Sequence, residues 1–497
     1  MWGKDGMGVL RVIRFDVPEI LIRQETLMLM DLKENIMKNI RSTILSLLIS
    51  GMLFLPLTIS AADLRIGAAA VKITPPPGIP MAGYYYERGA EKIHDDLFSK
   101  ALVIEKDNKK IAIVSCDIIS VSEDIVAEVR SLVQKSTGIP ADNVMISATH
   151  AHTGPVIPKK DNKGQGSDLL SSYIQKLPGL IAESIKQAND ALEPAKLSFG
   201  LGHEESISFN RRFFMTDGTV GWNPGKLNPK IIRPAGPIDP EVFVLYAETN
   251  EGKPVSTYVN FALHLDNTGG MEISADLPYT LSSILGKIKD QNMVTLFGQG
   301  CSGNINHINV KTKEPQSSFA EAARLGTVLS GEVIKTYTRM QPADINAITV
   351  RKRVVNLPLA EFSVEDLPAA RATVAKYGKS DAAPFLDFVN SFKIIELYNR
   401  KGKPIEAEIQ VFAIGNDLAI VSLPGEVFTE LGTYIRNRSP FAMTIVVELT
   451  NGSIGYIPDR KAYVEGNYEP ISARVAPGSG EMLVENAIQM LNELKIR

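Results

Sequence analysis

Two kinds of apolar spacing alternate along the chain and predict strands and helices in turn. Short apolar runs at 101–105 and 111–115 flank the polar segment 106–110, which predicts two strands joined by a turn. Apolar residues then recur at helical spacing over 122–135, and a further short apolar run follows at 144–147. This order of strand, helix and strand predicts an α/β fold with mixed β-sheets flanked by helices.

The same alternation continues to the end of the chain. Further strands are predicted at 196–200, 243–247, 255–262, 294–297, 405–414, 418–423 and 444–449. Further helices are predicted at 173–191, 277–288, 317–337, 367–392 and 480–494. Residues 210–237 are rich in Gly, Pro and Asn and predict a long ordered loop of the kind that lines a site. Because no repeat or low-complexity linker interrupts this pattern, we expect one large domain over 63–497.

The N-terminal part of the chain carries the pattern of a secretory signal. A basic start, an apolar middle and a small-residue end lie at Lys38 and Arg41, at 43–59 and at Ser60-Ala61-Ala62. We therefore interpret residues 37–62 as a signal peptide and residues 1–36 as a gene-model extension. We expect a secreted or periplasmic bacterial chain that begins near Asp63 and has no stable transmembrane anchor. A retained anchor is the alternative, although the apolar run is shorter than the ~20 residues of a spanning helix.

Composition excludes several classes of partner. Hydrophobic residues make up 44% of the chain and charged residues 22%, which is typical of a globular protein. The net charge of -3 offers no basic surface, so we expect no nucleic-acid partner. Cys116 and Cys301 are too few for a disulfide scaffold. The sequence leaves open whether they pair, and favours two free thiols because buried free cysteine is common.

The chain has only six histidines, and three of them follow predicted strands. His150 and His152 come directly after the run at 144–147, and His264 comes at the end of the run that contains Phe261. If the extended backbone continues, His150 and His152 point to the same side, which suits a metal site or an acid–base pair. Polar loop histidines and a histidine that ends a core strand are the structural alternatives.

Two further residues share this position after a strand. Glu426 follows the Pro424-Gly425 turn, and Tyr456 lies in the Gly-rich segment 451–458. Each has a structural alternative, since Glu426 in that turn could cap a helix at 427–435 and Tyr456 could be a packing aromatic. Ligand sites of α/β proteins gather at strand ends, so we predict the site there.

Taken together, five dispersed motifs resemble the neutral (non-lysosomal) ceramidase family. They are Thr149-His150-Ala151-His152-Thr153-Gly154-Pro155, Phe209-Asn210-Arg211, Phe261-Ala262-Leu263-His264, Leu423-Pro424-Gly425-Glu426 and Gly455-Tyr456-Ile457. The resemblance runs from about Leu64 to the C-terminus. It implies a shorter bacterial branch of the family, without the C-terminal immunoglobulin-like domain.

The resemblance also implies a metal and a reaction. It assigns one Zn²⁺ to four ligands, His150, His264, Glu426 and Tyr456. His152 and Arg211 would face the substrate, which is a small-molecule or lipid-like amide. The implied reaction is hydrolysis of an N-acyl, ceramide-like amide bond by metal-activated water. Tyr456, His152 or Arg211 would stabilise the developing oxyanion.

One loop departs from the family. An ungapped match places Asn306 where the family has its active-site serine, and Ser302 takes that role only if the loop is rearranged. This leaves open another amide or ester, related to sugars or cell walls, as the substrate. Asp276 and His94 also lie in family-like segments, with Asp276 either a partner of a histidine or part of a structural salt bridge.

Two alternatives of other classes remain from the sequence. The first is a binding protein that keeps the fold and has lost catalysis. The second is a serine hydrolase that uses Ser302. It is disfavoured because Gly300-Cys301-Ser302-Gly303-Asn304 lacks the final glycine of the Gly-x-Ser-x-Gly elbow.

Overall fold

The computed structural model describes residues 19–52, 64–158, 168–376 and 383–495. The chain divides into two compact units, Met1–Ala61 and Ala62–Arg497. The first unit contains helix α1 (Glu19–Met52), whose described side chains are exposed. Within the described ranges, no helix combines the length and the apolar character that crossing a membrane requires. The proposed cleavage residues Ser60-Ala61-Ala62 lie outside the described residues.

The second unit contains strands and helices in mixed order. Its strands are β1 (Arg65–Lys72), β2 (Lys92–Ile93), β3 (Phe98–Lys106), β4 (Lys109–Cys116), β5 (Val144–Ala148), β6 (Glu193–His203), β7 (Phe209–Asn210), β8 (Arg212–Met215), β9 (Val220–Trp222), β10 (Ile231–Pro234), β11 (Glu241–Thr249), β12 (Pro254–Phe261), β13 (Glu272–Ile273), β14 (Val294–Gln299), β15 (Ile305–Asn306), β16 (Gln341–Pro342), β17 (Ile348–Leu357), β18 (Ile405–Ile414), β19 (Leu418–Ser422), β20 (Glu426–Val427), β21 (Met443–Val447) and β22 (Tyr456–Ile457). Its helices are α2 (Glu123–Thr137), α3 (Asp168–Asp190), α4 (Leu277–Ile288), α5 (Phe319–Tyr337), α6 (Leu367–Val374), α7 (Phe385–Asn399), α8 (Thr429–Arg438), α9 (Arg460–Glu465), α10 (Tyr468–Ser472) and α11 (Ser479–Lys495).

The largest sheet is mixed and strongly curled. Its strands run in the order β14-β12-β11-β6-β1-β3-β4-β5, and β16 pairs with β6. The pairs β4–β5 and β12–β14 are parallel, and the other named pairs are antiparallel. Strand β14, at one edge, lies beside β4 and β5 at the other, and the Ser115 hydroxyl donates to the backbone carbonyl of Phe297. The curl brings together the chain segments that leave β5 and β12, which are far apart in strand order.

A second sheet, β17-β18-β19-β21, packs face to face on the first. Ile104 and Phe243 from the large sheet meet Phe412 and Ile445 from the small one in an apolar interior between the two. Because side chains alternate along a strand, each sheet also presents a second face. Helices α2 to α5 cover that face of the large sheet, and α8 and α11 cover that of the small sheet.

These four layers confirm the predicted α/β class with mixed sheets flanked by helices. The predicted helix at 277–288 is α4, and the hairpin predicted from 243–247 and 255–262 is the antiparallel pair β11–β12. The helix predicted over 367–392 consists of two helices, α6 and α7. Cys116 and Cys301 are both free and buried, as the sequence favoured.

The structure corrects the prediction of a long loop over 210–237. This segment contains a three-stranded sheet in the order β10-β8-β9. Its strands have only three or four residues, too few for an alternating pattern to show. The turn between β8 and β9 has Gly218 at a φ of 85° and closes with Met215 donating to the Thr219 carbonyl at 2.9 Å.

Candidate metal centre

His150 lies where the chain leaves strand β5 in a left-handed turn. Its φ is 68°, so the extended backbone does not continue to His152, and the prediction from strand alternation is wrong in its reason. The two imidazoles nevertheless meet, with 3.2 Å between their Nε2 atoms. The turn is held by the His150 backbone N–H, which donates to the Ile118 carbonyl at 3.0 Å. A non-glycine residue in this conformation is strained, and such strain often lies at functional sites.

His264 completes a cluster of three imidazoles. It follows strand β12 by three residues, and its Nε2 lies 3.1 Å from the Nε2 of His150. One nitrogen from each of His150, His152 and His264 lies within 4.8 Å of the others. The curl of the large sheet explains this meeting, since β5 and β12 stand at opposite ends of the strand order.

Glu426 and Tyr456 come from two short strands that pair in parallel. Strands β20 and β22 set these two residues opposite each other, and the interaction with the Tyr456 hydroxyl is one of the causes that lower the pKa of Glu426. Helix α8 begins at Thr429 with Phe428 as its N-cap, so Glu426 does not cap that helix. This result corrects the structural alternative considered for Glu426.

The loop before β15 presses on the strand that carries Glu426. A Cβ atom added at Gly303 would lie 2.5 Å from the backbone oxygen of Glu426. This is closer than any side-chain carbon approaches a carbonyl oxygen without displacement. Glycine is therefore required here by the close approach of two backbones.

The donor atoms fit one tetrahedral cation. The Glu426 Oε2 atom lies 3.4 Å from the Nε2 of His150 and 3.9 Å from the Nε2 of His264. Tetrahedral zinc with bonds of ~2.0–2.1 Å separates its ligand atoms by ~3.3 Å. Glu426 Oε2 is also a buried oxygen that has no hydrogen-bond partner among the residues described. A cation between these atoms would satisfy that oxygen.

The tautomer of His150 supports the same interpretation. Its Nδ1 lies 2.8 Å from the Ile119 carbonyl oxygen, which can only accept, so Nδ1 carries the hydrogen. The Nε2 lone pair then faces His264 and Glu426. A backbone carbonyl behind the far ring nitrogen is the usual support of a metal-binding imidazole.

Burial sets the charge states around this cluster. Burial, followed by the neighbouring His150, lowers the pKa of both His152 and His264 well below the usual value, so both are neutral. Burial raises the pKa of Glu426, but His150 and the Tyr456 hydroxyl outweigh it and the net pKa is lowered. Neutral imidazoles and an ionised carboxylate are the forms that bind metals.

Arg211 lies beside Tyr456. Its Nη2 donates to the Tyr456 hydroxyl at 3.1 Å and to the Gly303 carbonyl at 2.7 Å, and its Nε donates to Glu469 at 2.9 Å. Glu469 is fully buried and also accepts from Arg212 at 2.9 Å. Two arginines on one buried carboxylate hold the Arg211 guanidinium in a fixed position at the edge of the cluster.

The two candidates for the family serine position have side chains engaged away from this cluster, although the Ser302 backbone lies close to the His264 ring. Ser302 is fully buried, where its hydroxyl accepts from Gln299 at 2.7 Å and donates to Glu448 at 2.6 Å. Asn306 lines a neighbouring cavity and donates to the Asn223 side chain at 2.9 Å. In the described part of the chain, neither lines the cavity that holds His150, His152 and Glu426.

Two further sequence candidates have structural positions. Asp276 caps helix α4 by accepting from the Leu277 N–H at 2.6 Å, and it also accepts from the side chain of Asn267 at 2.6 Å. It therefore partners neither a histidine nor a basic residue, which corrects both interpretations. His94 stacks on Phe319 with 3.8 Å between ring centroids.

Sequence reasoning missed two residues beside His152. The Tyr84 hydroxyl donates to the Asp266 carboxylate, whose Oδ1 lies 3.8 Å from the Nδ1 of His152. Tyr84 lines the cavity of the cluster and also the neighbouring cavity. Two features of the sequence could have indicated these residues. They are the run of tyrosines that begins at Tyr84 and the spacing His264-x-Asp266.

The fold and the site define this chain as a two-sheet α/β protein with a candidate metal centre. The centre consists of buried imidazoles and a carboxylate at strand ends. Residues 64–267 match the family model described as neutral/alkaline non-lysosomal ceramidase, N-terminal. The match confirms the resemblance to the neutral/alkaline ceramidase family over residues 64–267, which carry three of the five motifs.

Solved structures show the same fold. The crystal structure of neutral ceramidase from Pseudomonas aeruginosa is 20% identical, with a TM-score of 0.70 over 88% of this chain and 75% of that chain. A structure of a ceramidase complexed with C2 is 19% identical, with a TM-score of 0.68 over 88% of this chain and 76% of that one. At these identities the likeness establishes the shared fold.

Proposed function

We propose that this chain is an exported, zinc-dependent hydrolase that cleaves the amide bond of an N-acyl, ceramide-like substrate. The family match supports a hydrolase. The single observation that carries the proposal is the 3.1–3.9 Å spacing of the donor atoms of His150, His264 and Glu426 around one point. The similar structures add that one relative is a neutral ceramidase and that another binds C2.

The proposed ligands are His150, His264, Glu426 and Tyr456. Two imidazole nitrogens and two oxygens suit a borderline cation such as zinc. His152 is within reach of the same point and is a further candidate. When bound, zinc polarises a carbonyl group and lowers the pKa of a water molecule towards ~7.

The chain's own residues supply the rest of the reaction. Hydrolysis adds water to the carbonyl carbon, breaks the C–N bond and gives a carboxylate and an amine. Arg211 and Tyr456 are placed to donate hydrogen bonds to the carbonyl oxygen as it gains negative charge. His152, with Asp266 on its Nδ1 side, is placed to carry a proton to the leaving nitrogen.

The proposal also covers export. Residues 37–62 are proposed as a signal peptide, residues 1–36 as a gene-model extension and 63–497 as the hydrolase domain. The support is the basic, apolar and small-residue order of the signal segment.

Metal analysis combined with a substrate assay tests this function. The protein is purified without chelators, its metal content is measured by mass spectrometry, and hydrolysis of N-acyl lipids is followed before and after chelation. We expect about one zinc per chain and a hydrolysis that chelation abolishes and added zinc restores. Protein that holds no metal and hydrolyses nothing would instead be a binding protein of this fold.

A further inference from the structure

A second cavity lies directly beside the candidate metal centre. It encloses about 340 Å³, within the ~300–1,000 Å³ range of small-molecule sites. Tyr84 lines both cavities, so the two adjoin at this residue. Its polar lining residues are Asn223, Lys226, Asp266, Asn306, His307 and Ser317.

His307 gives this cavity a buried acceptor that no described residue satisfies. The residue is 3% exposed, and its Nε2 is hydrogen-bonded to the Gln316 carbonyl. A carbonyl can only accept, so Nε2 carries the hydrogen and Nδ1 is left with a lone pair. That Nδ1 is buried without a hydrogen-bond partner in the described part of the molecule. Such an atom is costly unless a ligand or water donates to it.

The other polar groups of the cavity include both acceptors and donors of hydrogen bonds. Asp266 presents a carboxylate, which is an acceptor. Asn306 directs its amide N–H to the Asn223 oxygen at 2.9 Å. Lys226 directs its ammonium group to the Glu314 backbone oxygen at 2.7 Å. The lining therefore keeps acceptors at Asp266 and His307 and donors at Lys226 and Asn223, and hydroxyl groups can use both kinds because they donate and accept.

Another part of the cavity at the metal centre has a different character. Tyr85 and Tyr468 line the cavity of the centre, and behind them Trp222 and Phe385 stack with 5.4 Å between ring centroids. Tyr85 packs edge-on against Phe385 at 5.6 Å. Such an aromatic wall suits an acyl chain.

We propose that the second cavity binds the amine half of the substrate, and that this half is a hydroxyl-rich group such as an amino sugar. The inference rests on the amide hydrolysis of the proposed function, because it places the scissile bond at the metal centre, and it replaces the ceramide-like amine half by a more polar one. Asp266 connects the second cavity to the metal centre, with its Oδ1 3.8 Å from the Nδ1 of His152. Asn306 and His307, in the loop that departs from the family, become determinants of specificity.

Two substrates with the same acyl chain test this inference. N-octanoyl-glucosamine and N-octanoyl-sphingosine differ only in the amine half. A site built around hydroxyl groups should favour the amino sugar by at least ~100-fold in kcat/KM. Equal values for both, or a preference for the sphingosine amide, would overturn the inference while leaving a metal-dependent amidase in place.

A variant of His307 tests whether the preference for the amino-sugar substrate arises in this cavity. His307→Phe keeps a planar ring and removes the Nδ1 acceptor. We expect KM for the amino-sugar substrate to rise by roughly tenfold to a hundredfold, with a smaller effect on the sphingosine amide. Asn223→Gly is the second variant if His307→Phe folds poorly. It removes another polar side chain of the cavity, and glycine tolerates the φ of 41° at that position. The exposed His203 provides the matched control, since His203→Phe should leave the substrate ratio unchanged.

Calorimetric titration of free glucosamine separates this inference from the proposed function. Binding that is lost in His307→Phe supports the cavity even if no amide is hydrolysed. Absence of glucosamine binding to the wild-type protein overturns the inference, whether or not zinc-dependent hydrolysis of other amides is found. Equal loss of activity on both substrates in His307→Phe also overturns it, because a structural role would act on both.

Discussion

Glu426 and Tyr456 stand opposite each other on two parallel two-residue strands. Backbone pairing thus fixes the relative position of two proposed ligands that lie far apart in sequence. A further backbone hydrogen bond stabilises this pairing, because the Glu426 N–H donates to the Gly455 carbonyl oxygen at 3.0 Å. A cation would enter a site whose oxygen ligands are already in place, which reduces the entropy lost on binding.

The first prediction concerns Glu426→Gln. The amide keeps the shape of the side chain and removes the charge that faces His150 and His264, so metal affinity should fall by more than the ~10–100-fold typical of a lost outer partner. Metal content after dialysis, measured by mass spectrometry, checks this. Circular dichroism should show an unchanged fold.

The exposed Glu406 gives the matched control for that variant. Glu406→Gln removes the same charge far from the cluster and should keep full metal content. Unchanged zinc occupancy in Glu426→Gln would remove Glu426 from the ligand set.

The second prediction concerns removal of the metal. A cation at about 100 times its Kd stabilises the folded state by ~2.7 kcal/mol. With an unfolding entropy of ~2.1 cal/mol/K per residue, a domain of this size should lose about 3 °C in Tm on chelation. Differential scanning calorimetry with and without chelator measures the shift. The Glu426→Gln variant should show almost none, and an equal shift there would point to another metal site.

The third prediction compares two neighbouring arginines. Arg211 and Arg212 share the buried Glu469, but only Arg211 reaches the Tyr456 hydroxyl. Lysine lacks the guanidinium fork, so both Arg211→Lys and Arg212→Lys should lower Tm. Only Arg211→Lys should also lower kcat, by about 100-fold, as the loss of an oxyanion donor does. Similar kcat values in the two variants would limit Arg211 to a structural role.

The fourth prediction concerns Ser302→Ala. The change leaves one oxygen of the buried Glu448 without its donor, which should cost ~1–3 kcal/mol of stability. We expect kcat to fall by less than about tenfold. Loss of a catalytic nucleophile would instead lower kcat by ~10⁶-fold. Denaturant unfolding and kcat on one amide substrate measure the two effects. A collapse of kcat with unchanged stability would favour the serine hydrolase.

The fifth prediction concerns the N-terminal segment. Expression of the chain from Met37 in a bacterium should give a processed protein that begins near Asp63, because residues 60–62 carry the small side chains that signal peptidase requires. Mass spectrometry of the periplasmic fraction identifies the first residue. Ala62→Pro should block processing, and an unprocessed wild-type chain in the cytoplasm would contradict the export proposal.

Much of the fold could be predicted from local patterns. Helix α4 and the β11–β12 hairpin were predicted because both have strong periodic apolar spacing and end at polar turns. The sheet at 210–237 was not predicted because strands as short as β9 carry no periodic signal. The curl of the large sheet was also out of reach, since it depends on the contact of β14 with β4 and β5.

The candidate site could also be predicted only in part from the sequence. Motif resemblance indicated His150, His264, Glu426 and Tyr456, while spacing alone left each with a structural alternative. The meeting of His150 and His152 was expected for the wrong reason, because the φ of 68° at His150 ends the strand geometry. Tyr84 lies in no periodic element and in none of the motifs compared, so only the folded structure brings it beside His152.

Gly303 offers a simple criterion for comparing other chains of this fold. Its missing side chain lets one backbone rest on the carbonyl oxygen of Glu426. A chain with any larger residue there must shift the segment that carries the carboxylate, and with it the tyrosine paired to that segment. This one small residue can therefore help to sort relatives that keep the geometry of the site from those that share only the architecture.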